Sequence, residues 1–256
     1  MPVGAAPESR EAALARLRPW AERAAGFSGW SFDLGERHLG PPLPWSYADE
    51  VRQLARGATS VLDLGTGGGE RLASLRDGLP SRVVATEEWH VNAPVARRRL
   101  APVGVAVVRA RSLDLPFAEG AFDLLIDRHE ELEAPEVERV LRPGGAFVTQ
   151  QVGQRDWQEL RPHFPRATDW GDLLERYSSE LRGLGLAVET REHVTRVAYP
   201  SLGEFVYMLA VASWTLPNFD VEADLDALLA LEADCLTDEG FVLTEDRYLI
   251  IAHKPG

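Results

Sequence analysis

Between Ser60 and Val152 the chain alternates short apolar runs with amphipathic stretches. The runs SVLDL (60–64), RVVAT (82–86), GVAVVRA (104–110), FDLLID (122–127) and AFVTQQV (146–152) are apolar at successive positions, the pattern of strands covered on both faces. Helices are expected between them, over Glu70–Arg76, Val91–Leu100 and Ala134–Val140. This alternation predicts an α/β fold, with a parallel sheet between two helical layers. Upstream, Leu14, Leu17, Trp20 and Ala21 recur at helical spacing within Ser9–Ala25, and a short helix is expected over Tyr47–Arg56. The intervening GFSGWSFDLGERHLGPPLPWSY is aromatic and rich in Gly and Pro, so it reads as a packed connector or part of a lid.

Beyond residue 153 the regularity fails. A helix is expected to close at Gly183 or Gly185, followed by a strand over Ala187–Ala198. Two helices fit SLGEFVYMLAVASW and VEADLDALLALEADCL, and RYLIIAHKP reads as a final strand. The acidic residues of the Val221–Leu236 segment invite a metal reading. Val221, Leu225, Leu228, Leu229 and Leu236 gather on one face, however, so the carboxylates are most simply the solvated one.

Charge narrows the partners. With 27 Lys and Arg against 40 Asp and Glu the net charge is −13, a balance that repels phosphate backbones and makes nucleic acid a poor partner. The one dense basic stretch, ARRRL (96–100), reads as a solvated helix face. A single cysteine, Cys235, leaves no intramolecular disulfide and no cysteine-cluster zinc site. The N-terminal segment lacks the apolar run of a signal peptide, and no window reaches the ~20 apolar residues of a membrane span. A cytoplasmic protein without membrane contact is expected.

The chemistry concentrates in SVLDLGTGGGERL, where a strand runs into four glycines within five positions. In α/β proteins such a turn lies at the carboxyl edge of the sheet and holds a ligand. A dinucleotide site needs a small residue where this chain has Glu70, and a phosphate loop needs a lysine that is absent. What remains is D-x-G-x-G-x-G, with Asp63, Gly65, Gly67 and Gly69. Glu87, ~20 residues beyond the glycines at the end of the next strand, is placed to accept ribose hydroxyls.

This turn resembles motif I of the class I S-adenosylmethionine-dependent methyltransferases. The likeness continues in RSLDLPFAEGAFDLLIDRHE and VERVLRPGGAFVTQQ, and so spans roughly Tyr47 to Val152. It implies a Rossmann-like, doubly wound seven-stranded sheet with the last strand antiparallel. An N-terminal helical segment (1–46) would cap a methyltransferase domain (47–256), with a helical insertion (199–246) shaping the acceptor pocket. It further implies S-adenosylmethionine as cofactor, held by Asp63, Gly65, Thr66, Gly67, Gly69, Glu87 and Asp127. In the adenine region Arg111 stands where the family usually has Asp, which passes that contact to Ser112, the Leu113 backbone or Asp114. Trp89 either lines the adenine pocket or packs.

Acceptor-side residues follow the fourth and fifth strands, here DRHE and QQVG. The Asn/Asp-Pro-Pro-aromatic motif of adenine or glutamine N-methyltransferases is absent. His129 is the expected catalytic base or acceptor-orienting group, with a histidine satisfied at a strand end as the plain alternative. Gln150 and Gln151 either bond an acceptor or fill the core edge. Tyr207, Trp214 and Phe219 either cover a planar substrate or pack a helix. A small-molecule acceptor is the leading expectation, with an RNA methyltransferase and a non-catalytic cofactor-binding module as alternatives. The methylated atom and the oligomeric state stay open.

Overall fold

The computed structural model describes residues 8–32 and 34–256. The first seven residues, on which the expectation of no signal segment partly rests, lie outside them. The chain forms β1 (Arg37–Leu39), β2 (Ser60–Leu64), β3 (Arg82–Thr86), β4 (Ala106–Val108), β5 (Phe122–Arg128), β6 (Leu141–Val152), β7 (Ala187–Tyr199), β8 (Leu236–Thr237) and β9 (Gly240–His253). The helices are α1 (Arg10–Arg23), α2 (Tyr47–Ala55), α3 (Glu70–Leu75), α4 (Asn92–Leu100), α5 (Ala134–Val140), α6 (Leu173–Gly183), α7 (Leu202–Val211) and α8 (Leu225–Cys235).

Seven strands run in the order β4-β3-β2-β5-β6-β9-β7, and β9 is antiparallel to both its neighbours. The pairs from β4 through β6 are parallel. This is the Rossmann-like α/β architecture that the alternating apolar runs predict. Alternation along each strand divides the core. Val61, Leu124 and Val148 face α2, α3 and α4 through Val51, Leu72 and Leu100. Leu62, Leu125 and Phe147 face the other way, onto Val137 and Leu181 of α5 and α6. Both faces of the parallel strands are therefore dry, which is why the apolar runs show no polar alternation.

Three expectations need correction. The N-terminal segment is not wholly helical, since Arg37–Leu39 adds an antiparallel strand beyond β7. The closing strand starts at Gly240 rather than at Arg247. Its polar residues broke the apolar pattern, but Glu159 accepts hydrogen bonds from the Thr244 N–H and hydroxyl, and the Arg155 backbone donates to Asp246. Finally, β6 starts at Leu141, carrying the Arg-Pro-Gly-Gly stretch inside the strand through a register shift against β5.

A third core cluster joins α1, α7 and α8 to the far end of β7 and β9, centred on Leu17, Phe205, Leu209, Leu228 and Leu231. A Cβ at Gly203 would overlap the Trp20 ring, so glycine there allows α1 to lie close on α7. The acidic face of α8 turns to α1, where Asp226 pairs with Arg10 and Glu232 with Arg16. Among the described residues, no helix is long and apolar enough to cross a membrane.

Asp123 ties the amino-terminal edge of the sheet. Its Oδ2 accepts from the backbone and hydroxyl of both Thr59 and Ser60, and its Oδ1 accepts from Arg142. Burial opposes ionisation, yet these bonds outweigh it and hold the carboxyl well below its usual range. Replacing Asp123 with Asn should cost about 1.5–3 kcal/mol at neutral pH. Because the folded-state pKa lies below the unfolded one, the contribution is complete above roughly pH 5 and fades as the pH falls through about 4. Urea unfolding of both proteins between pH 7 and 3 measures it. A difference that ignored pH would assign the effect to shape rather than charge.

Candidate functional site

At the end of β2 the backbone turns through Gly65, Gly67 and Gly69 with φ of 57°, 61° and 80°, the left-handed region that favours glycine. Gly69 caps α3. The turn is pinned to β3, because Thr66 N–H donates to Thr86 O at 2.8 Å and Gly67 N–H to Glu87 Oε2 at 2.7 Å. Space above the turn is equally restricted. A Cβ at Gly65 would overlap the Glu130 carboxylate, and one at Gly67 would overlap Trp30.

Trp30 belongs to a strap formed by the aromatic connector after α1. Gly29 N–H donates to the buried Asn92 Oδ1 at 2.7 Å, which anchors the strap over the glycine turn. Phe27 and Phe32 stack at 4.9 Å, Phe27 meets Tyr207 at 6.2 Å, and Trp30 meets Trp214 edge-on at 5.8 Å. Tyr207 and Trp214 thus join one aromatic cover with the strap, whereas Phe219 packs against the helical core. Trp89 lies at the outer rim of this cover, lining a cleft of about 520 Å³ with Phe27, Val91 and Val211.

Beneath the strap sit four carboxylates, and no arginine or lysine pairs with any of them among the described residues. Asp63 is buried, and burial together with the nearby Glu87 and Glu130 pushes its carboxyl up to about 7. Glu130 is likewise pushed up to about 7 by burial, despite a 2.9 Å bond from the Ser112 hydroxyl. Burial also raises Glu87, whose second oxygen accepts from Trp89 N–H at 2.8 Å. Asp127 is raised well above the carboxylate range by burial and by Glu130. Its oxygens take the Glu130 N–H, the Thr149 hydroxyl and the Gln151 amide. Asp127 therefore braces the 128–131 turn, with no exposed surface for a ligand.

S-adenosylmethionine suits this set. It brings an ammonium, a sulfonium and a ribose diol to a pocket holding unpaired carboxylates over a backbone with no room for side chains. Thr66 Oγ1 is buried beside the Asp63 carboxyl without a hydrogen-bond partner of ordinary geometry, which leaves it able to bond a ligand atom. Each Glu87 oxygen retains a lone pair beyond its amide bond, sufficient for ribose hydroxyls. Ser112 is buried beside Glu130 and Leu113 is half-buried. Arg111, the departure from the family pattern, points outward to Glu88 at 3.3 Å.

His129 follows the last residue of β5 with φ 65°, a left-handed conformation unusual for a side-chain-bearing residue. Its N–H donates to Gln150 O at 3.0 Å. Solvent reaches the residue. Burial and the guanidiniums of Arg128, Arg247 and Arg71 hold its pKa well below the usual imidazole value, so the ring is neutral at pH 7. Gln150 accepts from Trp45 Nε1 at 3.0 Å, and Gln151 donates to Asp127, Thr149 and the Glu130 carbonyl. Both glutamines are wall rather than free contact groups. Sequence reasoning gave no role to Glu130, Trp30 or Arg128. The signal for the first and last was present in DRHE, while Trp30 depends on a path of the chain that no local pattern encodes.

Residues 62–149 match the family described as a methyltransferase domain. No curated protein matches the chain. Among solved structures, the YcgJ protein of Bacillus subtilis is 16% identical with a TM-score of 0.60, over 82% of this chain and 98% of its own. The 4+2 cyclase SpnF is 18% identical with a TM-score of 0.53, over 99% of this chain and 98% of its own. A geranyl diphosphate methyltransferase in complex with SAM is 15% identical with a TM-score of 0.50, over 82% and 84%. At such identities the likeness establishes the fold.

Asp63 offers a test free of any acceptor. Its folded-state value of about 7 lies above the ordinary carboxylate value, so the ligand-free protein loses stability as pH rises from about 4 to 7. Asp63→Asn removes that loss. The variant should gain on wild type between pH 5 and pH 8 in thermal melts, while binding S-adenosylhomocysteine more weakly. A variant that lost more stability at pH 8 than at pH 5 would mean that Asp63 has a cationic partner within the protein.

Proposed function

We propose that this chain, which carries a class I methyltransferase domain in residues 62–149, transfers the methyl group of S-adenosylmethionine to a small-molecule acceptor. The observation that carries this reading is the set of carboxylates without countercharge above the glycine turn, matched to a ligand with two cationic centres. Asp63 and Thr66 take the amino-acid end, and the turn from Gly65 to Gly69 admits it to the backbone. Glu87 accepts the ribose hydroxyls, and Ser112 with the Leu113 backbone borders the adenine. The bound cofactor supplies an electrophilic methyl group on sulfur, and displacement at it gains most of its rate from alignment.

The residues on the acceptor side supply that alignment and a proton sink. The strap and α7 cover the glycine turn from above. His129 is held by the Gln150 carbonyl at the carboxyl edge of the sheet, and its ring is unprotonated at neutral pH. It can therefore take a proton from an acceptor hydroxyl or amine. The RNA reading is less well supported, because the net charge is −13 and the exposed Arg97, Arg98 and Arg99 lie on α4, where Arg99 is already bonded to Glu70. The cyclase neighbour is a reminder that this fold also serves other chemistry, and the proposal rests on the site and not on fold likeness.

Calorimetry with S-adenosylmethionine and S-adenosylhomocysteine tests the cofactor. Glu87→Ala should weaken binding about ten- to a hundred-fold, the loss of a charged acceptor worth ~1.5–3 kcal/mol. Glu88→Ala, at an exposed residue paired only with Arg111, should have little effect. Equal losses at the two positions would remove Glu87 from the site.

With an acceptor that supports turnover, His129→Ala should lower kcat by ~10²–10⁴-fold and leave cofactor affinity unchanged. His129→Gln separates the roles, since it keeps a hydrogen bond but accepts no proton. Full activity in the Gln variant would leave an orienting role, and full activity in both would leave alignment alone. Because the imidazole pKa is depressed, the wild-type rate should not lose a base near pH 6.5. Any such limb should lie lower.

A further inference from the structure

Arg128 breaks a rule that the rest of the molecule keeps. Six other arginines are partly buried: Arg16, Arg76, Arg139, Arg142, Arg161 and Arg247. Each donates to a carboxylate or carbonyl oxygen. Arg128 is partly buried too, yet it has no hydrogen-bond or ion-pair partner among the described residues. An unpaired cation removed from water is costly unless something arrives to pair it.

Its surroundings define what arrives. Arg128 ends β5 beside Gln150 of β6 and directly precedes His129. Arg71, the second residue of α3, follows the glycine turn off β2, whose last residue pairs with Asp127 next to Arg128. It too lacks a partner among the described residues, and its charge opposes ionisation of Arg128 and His129. Tyr47, at the start of α2, is buried, and Asp63, Asp127, Arg128 and Arg71 all act on its phenol. Arg247, the third guanidinium acting on His129, is neutralised by Asp156 and Glu245, which leaves two free.

We propose that Arg71 and Arg128 form a receptor for an anionic group, a carboxylate or a phosphate monoester, carried by the methyl acceptor and held beside His129. This rests on the methyltransferase reading and deepens it. A guanidinium offers parallel donors that match either oxyanion in two-point contact. Binding there would neutralise the buried charge, hold the acceptor beside His129, and reject uncharged analogues. The same anion chemistry could come from the cofactor's own carboxylate, so the experiment must separate the two sources.

Protein saturated with S-adenosylhomocysteine would be titrated at fixed ionic strength with inorganic phosphate, benzoate and benzamide, by calorimetry. Phosphate and benzoate should bind and benzamide should not. Arg128→Gln and Arg71→Gln should each weaken the anions about tenfold or more, while the affinity for S-adenosylhomocysteine changes by less than about threefold. Arg128→Gln should not lower the melting temperature, since it removes an unpaired charge, and exposed Arg71 gives a second variant in any case. Competition between phosphate and S-adenosylhomocysteine, with Arg128→Gln weakening the latter, would assign the arginines to the cofactor and overturn the proposal. Equal behaviour of benzoate and benzamide would overturn it as well. If wild type fails to bind S-adenosylhomocysteine at all, the methyltransferase reading falls, and the anion titrations on the free protein still report on the arginines.

Discussion

The turn between β2 and α3 leaves no room for side chains, and the site is arranged around that constraint. Glu130 lies over Gly65, Trp30 over Gly67, and the backbone of Gly29 over Gly68. The contacts come from two separate parts of the chain, the strap after α1 and the turn after β5, and each requires the bare backbone below it. A parallel sheet dry on both faces fixes the carboxyl ends of β2, β3 and β5 side by side, so Asp63, Glu87 and Asp127 arrive at one edge without any local tendency to cluster.

That gathering is unfavourable in the free protein. Asp63, Glu87, Asp127 and Glu130 all have their ionisation resisted by burial, and Asp63, Asp127 and Glu130 are each raised further by another of the four. Hydrogen bonds from Ser112, Thr149, Gln151 and the backbone offset part of the cost. What they cannot supply is positive charge. Arg99 reaches the glycine turn but bonds to the Gly68 carbonyl and to Glu70, and among the described residues no arginine pairs with any of the four acids. Folding stability supplied by the three core clusters is spent here to hold buried carboxylates together without countercharge.

How much of this was legible depends on the range of the interactions involved. The strands and helices from Ser60 to Val152 follow from periodicity, and the glycine turn with Asp63 and Glu87 follows from spacing, because both are set within a few dozen residues. The Glu87–Glu88 contrast has a local cause just past β3, where Glu87 turns in to accept from the Gly67 and Trp89 amides and Glu88 stays exposed. Other features were not local. Arg37–Leu39 is a strand only because β7 offers an edge, and Thr244–Asp246 are strand residues only because the 153–159 turn satisfies their polar groups. Asp127 looked like a ligand contact by position, but its partners Thr149 and Gln151 lie on a neighbouring strand and consume its oxygens.

The strap ties the glycine turn to the helical core. Its aromatic residues stack on one another and on α7, while its backbone is fixed to the glycine-turn side through Gly29 and Asn92. Trp30 lies against Gly67 and meets Phe27, Phe32 and Trp214 at 5.3, 5.4 and 5.8 Å, although 40% of its surface stays exposed. The bare backbone and the aromatic contacts therefore depend on each other: a side chain at Gly67 would displace the ring, and loss of the ring would uncover the turn.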